Sequence, residues 1–400
     1  MSVGHVWRPT RRTGGWPDKK LVRHRGVTPH RIAPLALNLQ AGPTLPVTFW
    51  RKATMPMLAG RVDFVIGVDT HKQSHTAAAV DALGGVHHVT SISTDIAGYR
   101  SLLSWARAVA PGRRVWAVEG TGSFGAGLTV HLLEAEEWVC EIDRPERPAR
   151  KAGAKSDEID ALRAAREALA RTHLAQPRRR GEREAIRVLK VTRRQAVRVQ
   201  SQAVSQLKAL LVNAPDELRS RLRGLSSAEL ISHCARLHLQ CSRGPEWRAT
   251  LIALRATARR AQMAEAEVDQ LERELAELVG THTELIAEMG VGTVVAAQLL
   301  ASWSHPGRFR SEAAFASLAG AAPIPASSGQ VTRHRLNRAG DRDLNCMLRT
   351  VVLTRLRHDP RTQAYRARRR AEGKSDREIE RCLKRYIARH MFRVMEGRGA

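Results

Sequence analysis

The chain has 400 residues, with 66 Lys plus Arg against 39 Asp plus Glu and a formal net charge of +27. That length suggests two or three domains, and a field of that sign favours phosphate polyanions, with anionic lipid the weaker partner. No apolar run approaches the ~18–20 residues a transmembrane helix needs, no secretory h-region appears, and the five cysteines form neither a C-x-x-C pair nor a zinc-spaced set with His, which sets aside a membrane span, a disulfide scaffold and a structural zinc module.

Residues 1–54 are rich in Arg, Pro, Gly and Thr and lack a sustained period, so they read as a disordered basic extension. Met55 and Met57 make an over-extended gene start one explanation, and a basic nucleic-acid-binding arm is the other. From residue 61 the texture changes. Residues 62–69, 74–80 and 86–92 read as a three-strand meander turning at Gly84-Gly85. Thr94 or Asp95 can cap a helix through about Val109. Val115–Glu119 is a fourth strand, and a Gly-rich turn leads to a helix near Leu128–Ala135. Trp138–Ile142 is a fifth strand, with a helix from Ser156. This βββαβαβα order is that of a ribonuclease-H-like domain over 61–175, in which the first and fourth strands are neighbours.

Residues 176–285 read as a charged helical linker and coiled coil. Apolar positions from Leu251 to Leu278 (Met263 among them) recur mostly every three to five residues. They suit either an antiparallel hairpin within one subunit or a dimerising coiled coil. A third, mainly helical unit spans 286–396. It opens on Met289-Gly-Val-Gly, which resembles a helix-hairpin-helix turn able to hold a phosphate at a helix start. Two later helices are expected over 341–357 and 375–395, the second opened by the capping box Ser375–Glu378.

The acidic residues carry the chemistry. Asp69 and Glu119 each close a strand, and Asp157 and Asp160, at i and i+3, share a helix face. Carboxylates so placed can converge on divalent ions, whose hard character asks for several oxygen ligands, and two magnesium ions can clamp a phosphoryl transfer. Ser328 follows a Pro-rich turn in Ala322-Pro-Ile-Pro-Ala-Ser-Ser328-Gly and is a candidate nucleophile, with Ser327 its neighbour and an ordinary loop the plain alternative. Arg193 and Arg194 in the charged helix, and Arg333, Arg335 and Arg338 after the serine, are candidate nucleic-acid contacts. His71, His75, His87 and His88 read as surface or packing residues. Tyr365 and Tyr386 lie in arginine-rich segments that read as helix surface.

Gly67-Val-Asp69-Thr-His-Lys72, Val118-Glu119-Gly-Thr-Gly and Lys155-Ser-Asp157-Glu-Ile-Asp160-Ala resemble the catalytic blocks of the insertion-sequence 110 family of DEDD transposases. Gly290-Val-Gly, Phe309-Arg-Ser, Leu318-Ala-Gly and the Ser328 motif with Asn337-Arg-Ala-Gly-Asp-Arg look like that family's second domain. The resemblance implies a RuvC-like N-terminal domain whose Asp69, Glu119, Asp157 and Asp160 bind Mg2+ (or Mn2+). It implies a covalent 5′-phosphoserine at Ser328, DNA and a non-coding bridge RNA as partners, and a homo-oligomer with composite active sites. The place expected is the bacterial cytoplasm, at the nucleoid. Two rivals remain: a RuvC-like nuclease that uses water, and an inactive nucleic-acid-binding descendant.

Overall fold

Near-continuous apolar runs make strands that are buried on both faces, and such runs form the centre of the N-terminal sheet in a computed structural model that describes residues 57–58, 60–142, 156–178, 180–239, 244–326, 334–335, 337 and 340–397. The elements in order are β1 (Phe64–Thr70), β2 (Ser74–Asp81), β3 (Val86–Ser93), α1 (Ile96–Val109), β4 (Arg114–Glu119), α2 (Ala126–Glu134), β5 (Trp138–Ile142) and α3 (Asp157–Ala170). The sheet order is β3-β2-β1-β4-β5. β1 is antiparallel to β2 and parallel to β4, and β4 is parallel to β5. The expected adjacency of first and fourth strands is therefore present. The mixed sheet with its many helices fits a ribonuclease-H-like DEDD domain followed by a helical region.

Strand alternation divides the core into two layers. Ile66, Val68, Trp116 and Val118 pack with Tyr99, Leu102 and Ala106 of α1 and Leu128 and Leu132 of α2. Val65, Val115, Ala117, Cys140 and Ile142 pack instead with Ala165 and Ala168 of α3. β3 is mostly exposed, which matches its polar sequence. Asp95 starts α1 by accepting the Gly98 N–H at 2.8 Å.

Four helices follow: α4 (Glu182–Val212), α5 (Asp216–Leu222), α6 (Ser227–Ala235) and α7 (Pro245–Gly280). α4 and α7 run antiparallel, because Arg193 meets Glu272, Gln206 meets Arg260 and Glu182 meets His282. Ala203, Leu207 and Leu211 fill this seam with Leu254, Ala258 and Ala261. The antiparallel hairpin, one of the two arrangements the periodicity suits, is present within the chain. Met263 is 75 % exposed and so does not belong to it.

The C-terminal region comprises α8 (Thr283–Ile286), α9 (Thr293–Trp303), α10 (Glu312–Leu318), the two-residue strands β6 (Ile324–Pro325) and β7 (His334–Arg335), α11 (Arg342–His358), α12 (Pro360–Ala371) and α13 (Asp376–Met395). α12 is a helix additional to the two expected there; Asp359 caps it and Pro360 is its first residue. α9 is buried along Val295–Trp303 and packs with Phe315, Leu348, Val351, Ile387 and Phe392. Gly290, at φ +86°, makes the turn before α9, and a Cβ there would stand 3.3 Å from the Val351 Cα. No helix among the described residues is long and apolar enough to cross a membrane. Residues 1–54, Ser327, Ser328, Arg333 and Arg338 lie outside the described residues.

Candidate metal centre

Asp69 is the penultimate residue of β1, and its side chain points to the α3 face together with Val65 and Gly67. What brings α3 so near is Gly67. A Cβ at that position would lie 2.0 Å from the Ala161 carbonyl oxygen and 2.5 Å from the Ala165 nitrogen. The opposing stripe of α3 is Ala161, Ala164, Ala165 and Ala168, all fully buried. Small residues on both sides thus seat the helix directly on the strand, and the first turn of α3 lies over the end of β1. Ser156 fixes that turn by accepting the Ile159 N–H at 3.3 Å.

The result is a tight cluster. His71 Nε2 lies 3.0 Å from Asp69 Oδ2 and 3.3 Å from Asp157 Oδ1. One ligand atom from each of Asp69, His71 and Asp157 falls within 4.8 Å of the others, the one such group found among the described residues. Asp160, one turn along, accepts from Arg163 Nη1 at 2.7 Å and stands outside this closest set. Burial pushes the Asp69 carboxyl above the ordinary carboxylate value of 3.8; the charges of Asp160 and Asp157 push the same way, while His71 opposes them. A cation held among these groups would relieve both the burial penalty and the repulsion. The donor set therefore fits a divalent ion, although imidazole nitrogen is softer than the oxygens magnesium prefers.

Glu119 ends β4. The parallel register pairs Val68 with Val118, which puts Glu119 next to Asp69 and, by strand alternation, on the same α3 face. Thr70 Oγ1 ties the two strand ends by donating to the Glu119 carbonyl oxygen at 2.9 Å. Glu119 also lies outside the closest cluster. All four carboxylates thus occupy one end of one face of the sheet, and both Asp157 and Asp160 act on the Asp69 carboxyl.

His71 is exposed, as the sequence suggests for these histidines, yet its ring stands beside Asp69 and Asp157. His71 follows Asp69 by two positions, so both project to the same side, and the turn closed by the His71 N–H to the Ser74 carbonyl (3.0 Å) holds it there. That parity was the available signal. His75 is fully buried and stacks on Tyr99 at 5.9 Å between centroids, as a packing residue does.

The arginines differ among themselves. Arg193 Nε donates to Glu272 at 2.7 Å, and Arg194 pairs with Asp343, so both are engaged within the chain. Arg335 is exposed on β7 and lines a cavity. The Tyr365 phenol is pushed up to about 12, chiefly by burial, which makes it harder to ionise as a nucleophile.

Comparison with known proteins gives two family matches. A transposase model of the DEDD IS110 type matches residues 66–214, which include all four carboxylates. The model described as Transposase IS116/IS110/IS902 family matches residues 283–367, which include Ser328. No curated protein matches the chain.

Proposed function

The chain belongs to the IS110 family of transposases and is a DNA transposase or recombinase, and from that premise we propose that it cuts and rejoins DNA through a serine-linked intermediate at a magnesium-dependent DEDD centre, guided by a bridge RNA. Use of a divalent metal comes with the family. The observation that carries the proposal is the convergence of Asp69, Asp157 and Asp160 over Gly67, with Glu119 on the adjoining strand.

Asp69, Glu119, Asp157 and Asp160 would hold the metal. When bound, Mg2+ supplies Lewis-acid stabilisation of charge on the transferring phosphoryl group. The protein's own groups do the rest. Ser328 Oγ forms a bond to phosphorus as the bond from phosphorus to the 3′ oxygen breaks. The serine gives up a proton, the 3′ oxygen gains one, and the product is a 5′-phosphoserine with a free 3′ hydroxyl. Because one phosphoester replaces another, rejoining needs no external energy source. The arginines near the serine, Arg333, Arg335 and Arg338, would orient the phosphate, and a net charge of +27 supports long contact with nucleic-acid backbones. Composite active sites, each built from two subunits, belong to the same proposal.

Covalent trapping tests it. Full-length protein, RNA transcribed from the element's flanks and labelled DNA are mixed with Mg2+ and run on denaturing gels. A protein–DNA adduct present in wild type and Ser327→Ala but absent in Ser328→Ala and Asp69→Asn is the expected result. Cleavage without any adduct, unaffected by either serine, would replace this chemistry with water-dependent hydrolysis.

A further inference from the structure

A cavity of about 710 Å³ opens between α13, the start of α11 and the backbone of residues 319–323. That volume lies within the range typical of ligand sites. Small residues from Ala319 to Pro323 make its floor, and cations make its wall. Arg381, Lys384 and Arg385 stand at i, i+3 and i+4 on α13 and so share a face; Arg335 joins them from β7.

The two acids of the lining are already engaged. Asp341 accepts from the Leu344 N–H at 3.0 Å and from Ser302 Oγ at 2.7 Å. Glu378 accepts from the Ser375 N–H at 2.9 Å in the capping box. Among the described residues no carboxylate forms an ion pair with Arg335, Arg381 or Arg385. Lys384 is half-buried and held in place: its Nζ donates to Asn345 Oδ1 at 2.9 Å, and Asn345 Nδ2 donates to the Ala319 carbonyl at 2.7 Å. Burial weighs against the Lys384 ammonium, Glu380, one turn back on α13, is the carboxylate that favours it, and the charges of Arg381 and Arg349 oppose it, so the wall keeps an excess of positive charge that an anion would offset.

A cationic wall over an apolar floor suits a nucleic-acid strand, with phosphates on the wall and a base against the floor. β6 and β7 pair Ile324 with Arg335 and Pro325 with His334, so they bracket the segment that carries Ser328. The cavity wall and the serine segment are therefore continuous in the chain. We propose that this cavity binds an unpaired stretch of the DNA substrate, its phosphates on Arg335, Arg381, Lys384 and Arg385. The choice of DNA rests on the serine chemistry proposed above.

Cys382 lines the cavity and gives a local readout. Full-length protein in EDTA is alkylated with maleimide, and modification at Cys382 is followed by peptide mass spectrometry. Probes are a ten-nucleotide single-stranded DNA, the same sequence as RNA, and its duplex. At ten times its Kd the DNA strand should slow Cys382 modification about tenfold. The Arg381→Gln/Arg385→Gln variant should lose that protection, and the salt slope of strand binding should fall by about 1.4. A wild-type melt of that variant checks that it folds. No protection by the DNA strand, protection by RNA alone, or protection that survives the double substitution would overturn the proposal. Adduct formation without Cys382 protection would sink the cavity assignment and leave the serine chemistry standing. Protection without adduct would do the reverse.

Discussion

Replacing Gly67 by Ala tests how the acidic centre is built. The new methyl would meet the Ala161 carbonyl oxygen at 2.0 Å, the Ala165 nitrogen at 2.5 Å and the Ala165 Cβ at 2.9 Å. Ordinary contact begins near 3.4 Å, so α3 must retreat from β1 by about 1.4 Å or the strand must bend. Two of the three obstacles are backbone atoms, and no change of rotamer moves them. Overpacking of this kind costs ~1–3 kcal/mol, a fall of several degrees in Tm. The larger effect is on geometry, because Asp157 and Asp160 ride on α3 while Asp69 stays on β1. Misplacement of about 1 Å in such a site can cost ~100-fold in rate. Thermal melts with and without Mg2+ and single-turnover cleavage of labelled DNA measure both. We expect Gly67→Ala to lose cleavage by about two orders of magnitude, and Ala165→Gly in the same chain to fail to restore it. Wild-type cleavage and a wild-type response of Tm to Mg2+ would refute the idea that this contact sets the site.

Other consequences follow from single groups. Asp69→Asn should raise Tm in EDTA, since burial and the neighbouring carboxylates oppose the charge. Because the folded value lies above the unfolded one, the penalty for ionising Asp69 builds as pH rises from the ordinary carboxylate value through the folded one and is constant beyond it, so the gap between variant and wild type should widen as pH rises above about 4 and then level off. His71→Asn should weaken Mn2+ binding by ~10–100-fold, as expected for a group that orients or supplements metal ligands; calorimetry reads this directly. Burial also holds His75 below its ordinary value of 6.5, against the pull of the Ser74 carbonyl. The unfolded chain then takes up a proton below that pH that the folded chain refuses, so stability should fall by up to ~1.4 kcal/mol per pH unit there, and His75→Gln should flatten the slope in urea titrations. Leu254→Ala empties a fully buried position in the α4–α7 seam and should cost ~2–5 kcal/mol by the same titration.

The parts of this molecule governed by local pattern were legible without coordinates. β1, β4 and β5 are apolar runs bounded by turns, and their ends fall within two residues of those expected. The i, i+3 spacing of Asp157 and Asp160 needs only a helix to place both over β1. What could not be read was set by contacts remote in sequence. Gly67 looked like one more strand residue, because its role depends on Ala161, 94 residues on. The nearness of His71 to Asp157 depends on where α3 docks, which no pattern local to β1 specifies. The apolar repeat of α7 suits either of two seams, and the antiparallel one seen within the chain depends on the matching face of α4, remote in sequence. Arg193 and Arg194 looked free for phosphate, yet Glu272 and Asp343 reach them from distant helices.

The central claim is that four carboxylates gathered over Gly67 hold the metal that cleavage depends on. Mn2+ titration followed by electron paramagnetic resonance tests it on wild type, Asp69→Asn, Glu119→Gln, Asp157→Asn and Asp160→Asn, with cleavage rates measured on the same samples. Each variant should bind Mn2+ at least about tenfold more weakly and lose cleavage in parallel. Mn2+ binding unchanged in all four single variants would contradict the account.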